Sequence, residues 1–323
     1  MSTFKVLVTA QQLGPQAQKM LRDAGGELIF MEDPINEATL TDRLSVGDID
    51  AVVLRGSKPF TKNVLSSAKN LKIIAKHGAG IDSVDLDEAN RSGITIAVAA
   101  GANAYAVAEH SVAMMVAMVR GLHLLDKNVR KGKWESTSWN GRDFRGSVVG
   151  LVGYGSIGRN TAQLATALGA RVIVLSRTPS KVDGYETVSS LEELLPQVDV
   201  LSLHCPLTEQ TRGLIGKKEL AQLKKGAIVI NTARGAVIDE AALIESLESG
   251  HLGGAGLDTF EVEPIAPDNK LLKMENVILT SHVAGMTQQA VAMVGTLTAQ
   301  NIIDTLAKKP LATGNYIAGP KFG

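Results

Sequence analysis

Twice along its 323 residues the chain sets short apolar runs between helical stretches, and this rhythm constrains the fold more than any other feature. Phe4–Ala10, Glu27–Met31, Ile49–Leu54, Leu71–Ala75 and Ile94–Val98 read as strands in the first hundred residues. Between the first two, Pro15–Ala24 reads as a helix that opens on Pro and closes on Gly25-Gly26. The rhythm resumes at Ser147–Val152 and runs through Arg171–Leu175, Val198–Leu203, Ala227–Ile230, Leu252–Leu257 and Val277–Thr280. A last helix covers about Thr287–Lys308, and a tail containing Gly and Pro follows. A strand that returns through a helix must pair parallel with its predecessor. The expected fold class is α/β, with two blocks of parallel sheet and a cleft between them.

The two blocks are separated by a break. Asn103–Arg120 is rich in Ala, Val and Met and reads as a helix buried nearly all round. Gly121–Arg145 is polar, carries Trp134 and Trp139, and shows no clear period, so an arm or loop is expected there.

Composition closes off several functions. Lys+Arg and Asp+Glu both number 33, so the formal charge is 33 − 33 = 0, which speaks against nucleic acid or an anionic membrane surface as a partner. The single thiol, Cys205, can form neither an internal disulfide nor a cysteine-rich zinc site. No His/Cys/Asp cluster has metal-ligand spacing, so no metal is expected. The apolar run Val112–Val119 is far shorter than the roughly 20 residues of a membrane helix. Lys5 interrupts the apolar start, so no signal segment is read, and a cytoplasmic location is expected. Gly accounts for 32 residues, above the usual ~7%, which directs attention to where the glycines fall.

Gly153, Gly155 and Gly158 form G-x-G-x-x-G, directly after an apolar strand and directly before a helix over Ser156–Leu168. Gly153 permits the tight turn, Gly155 lets backbone approach a pyrophosphate, and Gly158 lets helix pack on strand. The free N–H groups of the helix start, at Ser156 and Ile157, face the phosphates with the positive end of the helix dipole. The second half of such a fingerprint is an acidic residue about 20 positions on, which bonds the ribose of NAD. Here the next strand ends Ser176-Arg177-Thr178, with no carboxylate. Arginine and hydroxyls bind a 2′-phosphate through charge-assisted hydrogen bonds worth roughly 1.5–3 kcal/mol each. The expected cofactor is therefore NADP(H), with NAD(H) the alternative if Arg177 merely stacks on adenine.

In doubly wound sheets chemistry gathers at the C-terminal ends of strands. Three such ends carry Asn231-Thr232-Ala233-Arg234-Gly235, Asp258 through Pro264, and Ser281-His282-Val283-Ala284-Gly285. The fork of Arg234 suits a carboxylate and a neighbouring carbonyl oxygen. His282 can exchange a proton near neutral pH. Glu263 can bond the other ring nitrogen and favour the imidazolium.

These stretches resemble the D-isomer-specific 2-hydroxyacid dehydrogenase family, which includes D-3-phosphoglycerate dehydrogenase and glyoxylate/hydroxypyruvate reductase. G-L-V-G-Y-G-S-I-G-R at 150–159, L-H-C-P-L-T at 203–208, N-T-A-R-G at 231–235, G-L-D-T-F-E-V-E-P at 256–264 and S-H-V-A-G at 281–285 occur in the family's order. The resemblance implies Arg234, Glu263 and His282 as the catalytic trio. It implies that Asp258 lies near the nicotinamide, and that Pro206, Thr211 and Thr232 line the dinucleotide, with Ala233 and Gly285 on the same side. Lys76-His77-Gly78-Ala79-Gly80 is similar to the family's substrate loop, where backbone N–H groups matching Ala79 and Gly80 hold the substrate carboxylate.

The resemblance also implies two Rossmann-like domains, with the cofactor domain (101–286) inserted into a discontinuous substrate domain (1–100 and 287–323). The cofactor domain, with its dimerisation helix and arm over 103–145, would form most of a homodimer interface, the arm Gly121–Arg145 embracing the partner and Trp139 either reaching toward the partner's site or merely packing. Two features depart from the family. The acidic residue of most NAD-using members is replaced by Ser176-Arg177, and the chain ends soon after the last helix, without the regulatory C-terminal domain of some phosphoglycerate dehydrogenases.

The expected reaction is hydride transfer between NAD(P)H and C2 of a small 2-keto acid. Arg55 and Lys76 end two strands at positions where phosphoglycerate dehydrogenases carry basic residues, so the substrate is expected to have a polar or anionic tail; a pair of surface charges is the alternative. A formate dehydrogenase is disfavoured, because that branch places a glutamine beside its histidine. The competing function class is a non-catalytic NAD(H)-sensing protein on the same fold. A hydrolase or lyase with tightly held NAD would need a further nucleophile or metal set.

Overall fold

The computed structural model describes residues 3–134 and 136–322. Met1, Ser2, Glu135 and Gly323, which fall in the expected domain and arm ranges, lie outside the described residues. The chain forms two compact units, Met1–Asn103 with Thr287–Gly323, and Ala104–Met286.

The first unit contains β1 (Phe4–Val8), α1 (Pro15–Asp23), β2 (Gly26–Phe30), α2 (Glu37–Ser45), β3 (Ala51–Leu54), α3 (Lys62–Ser67), β4 (Ile73–Lys76), α4 (Leu86–Arg91) and β5 (Thr95–Val98). The second contains α5 (Ala104–Arg120), α6 (Leu122–Arg130), β6 (Val148–Val152), α7 (Ser156–Ala167), β7 (Arg171–Leu175), β8 (Glu186–Val188), α8 (Leu191–Leu194), β9 (Val200–Leu203), α9 (Lys217–Gln222), β10 (Ala227–Asn231), α10 (Glu240–Glu248), β11 (Leu252–Leu257) and β12 (Val277–Leu279). The chain then returns to the first unit as α11 (Gln288–Leu306) and β13 (Tyr316–Ala318).

In the first unit the strand order is β13-β5-β4-β3-β1-β2. Successive residues of a strand point to opposite faces, so an almost wholly apolar strand is buried on both. Val6 and Val8 of β1, Val53 of β3 and Ala75 of β4 pack with Ala17 and Leu21 of α1 and Ile302 of α11. Leu7, Val52, Leu54 and Ile74 point the other way, toward Leu40 and Leu44 of α2 and Val64 and Leu65 of α3.

The expected parallel sheet is present, with one addition at its edge. The sheet is not wholly parallel, because part of the tail forms β13, antiparallel to β5 with Tyr316 opposite Ala97. Three residues followed by Gly and Pro are too short to show a period. What holds them is the exposed edge of β5, together with Asn301 Nδ2 donating to the Val98 carbonyl (2.9 Å) and Asn315 Nδ2 donating to Asn301 Oδ1 (2.8 Å).

The second unit is a seven-stranded sheet, β12-β11-β10-β9-β6-β7-β8, with every pairing parallel. Val112, Met115 and Val119 of α5 and Ala162 and Ala165 of α7 cover one face, against Val149, Leu151 and Val174. Leu194, Leu220, Leu243 and Leu247 cover the other, against Leu201, Leu203 and Val229. Glycines in β11 admit α5 at close range: a Cβ at Gly256 would lie 3.1 Å from Met114 Cβ, and one at Gly254 would meet the Met118 methyl group and lie 2.5 Å from the Asn276 carbonyl oxygen. Part of the glycine excess is thus packing rather than ligand binding.

Two expectations are corrected in this unit. α5 is not buried all round, since Tyr105, Glu109, Ala113 and Arg120 leave one stripe exposed. The arm region is not all loop, because nine of its residues, Leu122–Arg130, form α6 after the N-cap Gly121. Leu122, Leu125 and Val129 recur at helical spacing and Asp126 pairs with Arg130 one turn on (2.8 Å), but no α6 residue is buried within this chain. The surrounding charges of Asp126, Lys127 and Arg130 mask that short stripe in the sequence. Trp139 folds back on its own chain, its Nε1 2.7 Å from where a Cβ at Gly141 would stand and its ring against Gly121.

Candidate active site

The phosphate turn lies where β6 meets α7. Gly153 has φ +102°, and a Cβ there would lie 2.8 Å from the His204 carbonyl group and 2.9 Å from the Cys205 nitrogen. A Cβ at Gly158 would run into the Gly153 carbonyl oxygen. Gly155 is the reverse case, with nothing within 4 Å of its Cβ position. It is also the N-cap of α7 and supplies no side-chain cap, whereas α2, α3, α4, α8, α10 and α11 are capped by Asn36, Thr61, Asp85, Ser190, Asp239 and Thr287. The backbone at Gly155, Ser156 and Ile157 therefore borders open space at the positive end of a twelve-residue helix.

Arg177 and Thr178 are exposed beyond the end of β7, and the Thr178 N–H donates to Ser176 Oγ at 3.2 Å. Burial pushes the neighbouring Cys205 thiol up, against the pull of its own backbone hydrogen bond and the Arg177 charge. At the end of β9, burial pushes His204 down to about 4, so its ring is neutral at pH 7, with Nε2 3.0 Å from Ser202 Oγ. The next loop closes on itself through Thr211, whose hydroxyl donates to the Pro206 carbonyl at 2.6 Å and accepts from the Thr208 N–H at 2.8 Å.

The three expected strand ends converge within the second unit. His282 Nδ1 lies 2.7 Å from Glu263 Oε2, and Glu263 Oε1 accepts from the Phe260 N–H at 3.1 Å. Burial raises the Glu263 carboxyl, but hydrogen bonds from His282 and Phe260 N–H, with the charges of His282 and Arg234, outweigh it and hold the group below the usual carboxylate range. The Arg234 loop is tied by Asn231, whose Nδ2 donates to the Arg234 carbonyl (2.8 Å) and whose Oδ1 accepts from the Ala233 N–H (3.0 Å). Arg234 also donates through Nη1 to the Ala233 carbonyl at 2.7 Å. Thr232 is buried and its hydroxyl lies 2.8 Å from Ser111 Oγ of α5.

Asp258, just past the end of β11, directs its carboxylate to its own chain. It is 1% exposed and turned to the His282 loop, accepting from Thr280 Oγ1 (2.6 Å) and the N–H groups of Val283 and Ala284 (both 2.9 Å). Gly285 follows directly on that loop. Sequence reasoning missed His110, Ser111 and Thr280, which join α5 to these loops, because nothing in their spacing distinguishes them from ordinary helix and strand residues.

The expected substrate loop belongs to the first unit. Lys76, the last residue of β4, is buried rather than on the surface, with Nζ donating to the Gly56 carbonyl. Gly78 has φ +135° and its N–H donates to the Lys76 carbonyl at 2.9 Å; Ala79 is exposed and Gly80 half-buried. Arg55, half-buried at the end of β3, donates to the Gln12 carbonyl at 2.8 Å. Burial, then the Arg55 charge and to a smaller degree that of Lys76, push His77 down to about 4, although a backbone hydrogen bond opposes them. The two cations thus act on one spot beside the loop.

Among the described residues no group of three or more His, Cys, Asp or Glu is placed to hold a metal ion, and no helix is long and apolar enough to cross a membrane.

Residues 112–284 match the family model described as D-isomer specific 2-hydroxyacid dehydrogenase, NAD binding domain. The chain is 36% identical to D-3-phosphoglycerate dehydrogenase of Archaeoglobus fulgidus over 312 residues, which is 95% of this chain and 58% of that protein. It spans little more than half the length of that relative. It is 38% identical to hydroxypyruvate reductase of Thermotoga maritima over 252 residues, 77% of this chain and 82% of that one. Among solved structures, an acyclic imino acid reductase in complex with NADPH and D-Arg superposes with a TM-score of 0.88 at 28% identity, covering 97% of this chain and 100% of that one. On fold, site geometry and sequence together, the chain belongs to the D-isomer specific 2-hydroxyacid dehydrogenase family.

Proposed function

We propose that the chain is an NAD(P)H-dependent dehydrogenase that interconverts small 2-keto acids and D-2-hydroxy acids carrying a polar or anionic tail, of the 3-phosphoglycerate, hydroxypyruvate or glyoxylate type. The observation that carries this reading is the His282–Glu263 pair at 2.7 Å, under the charge of Arg234, at the strand ends of a family NAD-binding domain.

The chain's own residues fit a dinucleotide. The open backbone at Gly155, with Ser156 and Ile157 at an uncapped helix start, suits a pyrophosphate, and Gly153 and Gly158 hold that turn closed. Pro206, Thr211, Thr232, Ala233 and Gly285 border the same strand ends, and Asp258 acts from beneath the His282 loop. The exposed Arg177 with Ser176 and Thr178, and the absence of a carboxylate at the end of β7, favour NADPH over NADH. A structural neighbour solved with NADPH supports a nicotinamide cofactor, not the choice between NADPH and NADH.

When bound, the nicotinamide exchanges a hydride with C2 of the substrate. Arg234 directs its donor fork at the keto oxygen and polarises it. Glu263 fixes Nδ1 of His282 and stabilises the imidazolium, leaving Nε2 to give a proton to that oxygen in reduction and to take it back in oxidation. Backbone N–H groups at Ala79 and Gly80, released by the Gly78 turn, hold the substrate carboxylate, while Lys76 and Arg55 attract the tail. α6 and the following arm, with Leu122 49%, Val129 54% and Trp134 80% exposed, form the contact of a homodimer.

The test is a panel of glyoxylate, hydroxypyruvate and phosphohydroxypyruvate with NADPH and NADH. Turnover is expected on at least one acid, and His282→Ala is expected to reduce it on the order of 10²–10⁴-fold. Cofactor binding without turnover across the panel would instead favour the NAD(H)-sensing alternative. A tenfold preference for NADH in kcat/KM would overturn the reading of Arg177.

A further inference from the structure

His282 stands on backbone that its side chain does not favour, with φ +56° in the left-handed region. What holds it there is Asp258. The Asp258 carbonyl accepts the His282 N–H at 2.8 Å, and its carboxylate accepts the next two N–H groups, those of Val283 and Ala284. A carboxylate buried to 1% exposure keeps this arrangement only while its oxygens are met by donors. Its remaining donor is the Thr280 hydroxyl at 2.6 Å.

That hydroxyl has one hydrogen, and Asp258 takes it. His110 Nε2, 3.0 Å from the same hydroxyl oxygen and 3.8 Å from Asp258 Oδ1, must therefore be the donor in its own contact with Thr280. The hydrogens then all run one way: from His110 to Thr280, from Thr280 to Asp258, with the loop N–H groups arriving from the other side. His110 lies in the second turn of α5, so the chain of bonds ties the His282 loop to the helix that covers the sheet.

We propose that His110 is a positioning residue for His282, acting through Thr280 and Asp258. The consequence for activity rests on the proton-transfer role given to His282 above; the consequence for the loop does not. His110→Phe keeps the ring shape at a side chain 26% exposed and removes the donor. His110→Gln places an N–H where Nε2 stands. Thr280→Val removes the relay hydroxyl and Thr280→Ser keeps it.

The decisive measurement is amide hydrogen exchange at Val283 and Ala284 in the cofactor-free protein, with β9 amides as a control for folding. Tenfold or faster exchange is expected in His110→Phe and Thr280→Val, with rates near wild type in His110→Gln and Thr280→Ser. In steady state the first pair should lower kcat on the order of tenfold or more while the KM for the keto acid stays within about twofold, as expected when orientation is lost and binding is kept. Exchange in His110→Phe within twofold of wild type overturns the proposal whatever the activity. Faster exchange with unchanged kcat, where His282→Ala is inactive, also overturns it. If His282→Ala keeps full turnover, the acid–base assignment falls on its own, and the exchange rates still decide whether His110 holds the loop.

Discussion

Gly235 presses against the main chain of Phe260 so closely that a methyl group built on it would fall inside the Phe260 carbonyl and lie 2.4 Å from the Glu261 nitrogen. The contact joins the loop that carries Arg234 to the loop that carries Glu263, whose carboxylate is itself held by the Phe260 N–H. The neighbouring atoms are backbone and cannot turn aside. Gly235→Ala is expected to destabilise the protein by about 1–3 kcal/mol. It should also lower kcat/KM on the order of a hundredfold through misplacement of Glu263 and Arg234. Denaturant unfolding and steady-state kinetics on the same variant check both effects.

The three glycines of the phosphate turn should separate into two classes. Gly155→Ala meets no atom within 4 Å, so its stability should stay within about 0.5 kcal/mol of wild type. The added methyl group stands where a pyrophosphate would approach. Loss of one charge-assisted hydrogen bond, roughly 1.5–3 kcal/mol, corresponds to on the order of a ten- to hundredfold rise in the Kd for NADPH. Gly158→Ala should lower both, because its methyl group strikes the Gly153 carbonyl. Calorimetric titration beside thermal unfolding would reveal a single class if this division were wrong.

The buried imidazoles should make the fold sensitive to mild acid. His77 and His204 are each pushed down to about 4 in the folded chain, against an ordinary value of 6.5. Between those values the unfolded chain binds protons that the folded chain does not, so stability rises with pH across that interval. The contribution of both groups is complete above pH 6.5 and is lost as pH falls toward 4. His204→Gln, which keeps a group near Ser202, should reduce the drop in Tm between pH 7 and pH 5. An unchanged drop would mean that His204 is not held neutral.

Lys76 is a buried cation beside the Gly78–Gly80 loop, and its charge and that of Arg55 bear on the same imidazole. Lys76→Met keeps the length and apolar stem of the side chain. For a phosphorylated keto acid the expected change is a rise in KM on the order of tenfold or more, matching one charged hydrogen bond of roughly 1.5–3 kcal/mol. For glyoxylate, which has no tail, KM should change little. Equal changes for both acids would assign Lys76 to the carboxylate instead.

Much of the molecule was legible in its residues before any fold was known. The period of apolar runs marks the parallel strands of both units, because strands buried on two faces must be apolar almost throughout; the exception is β8, Glu186–Val188, a short edge strand without an apolar run. Gly153, Gly155 and Gly158 mark the phosphate turn, because each answers a different steric demand at a fixed spacing. Arg234, Glu263 and His282 stand out because they follow strand ends, where a parallel sheet collects its loops. Local sequence carries these signals whole.

Other features depend on what comes near from elsewhere in the chain. The strand Tyr316–Ala318 exists because the edge of Thr95–Val98 was available to it. The helix Leu122–Arg130 shows only a faint stripe because charged residues interleave it, and among the described residues none of its side chains is fully buried. Lys76 reads as a surface charge until the fold buries it and brings the Gly56 carbonyl to its Nζ. Asp258 reads as a residue after a strand end, and only the fold shows its carboxylate holding the loop of His282. The contacts of His110, Ser111 and Thr280 carry no signal in the sequence, because a hydrogen bond between residues 170 positions apart, as from His110 to Thr280, is decided by packing. The sequence by itself determined most of the strands, the glycine turn and the polar residues at the strand ends; the tertiary structure decided how those side chains are aimed, because hydrogen-bond direction depends on neighbours that only folding brings within 3 Å.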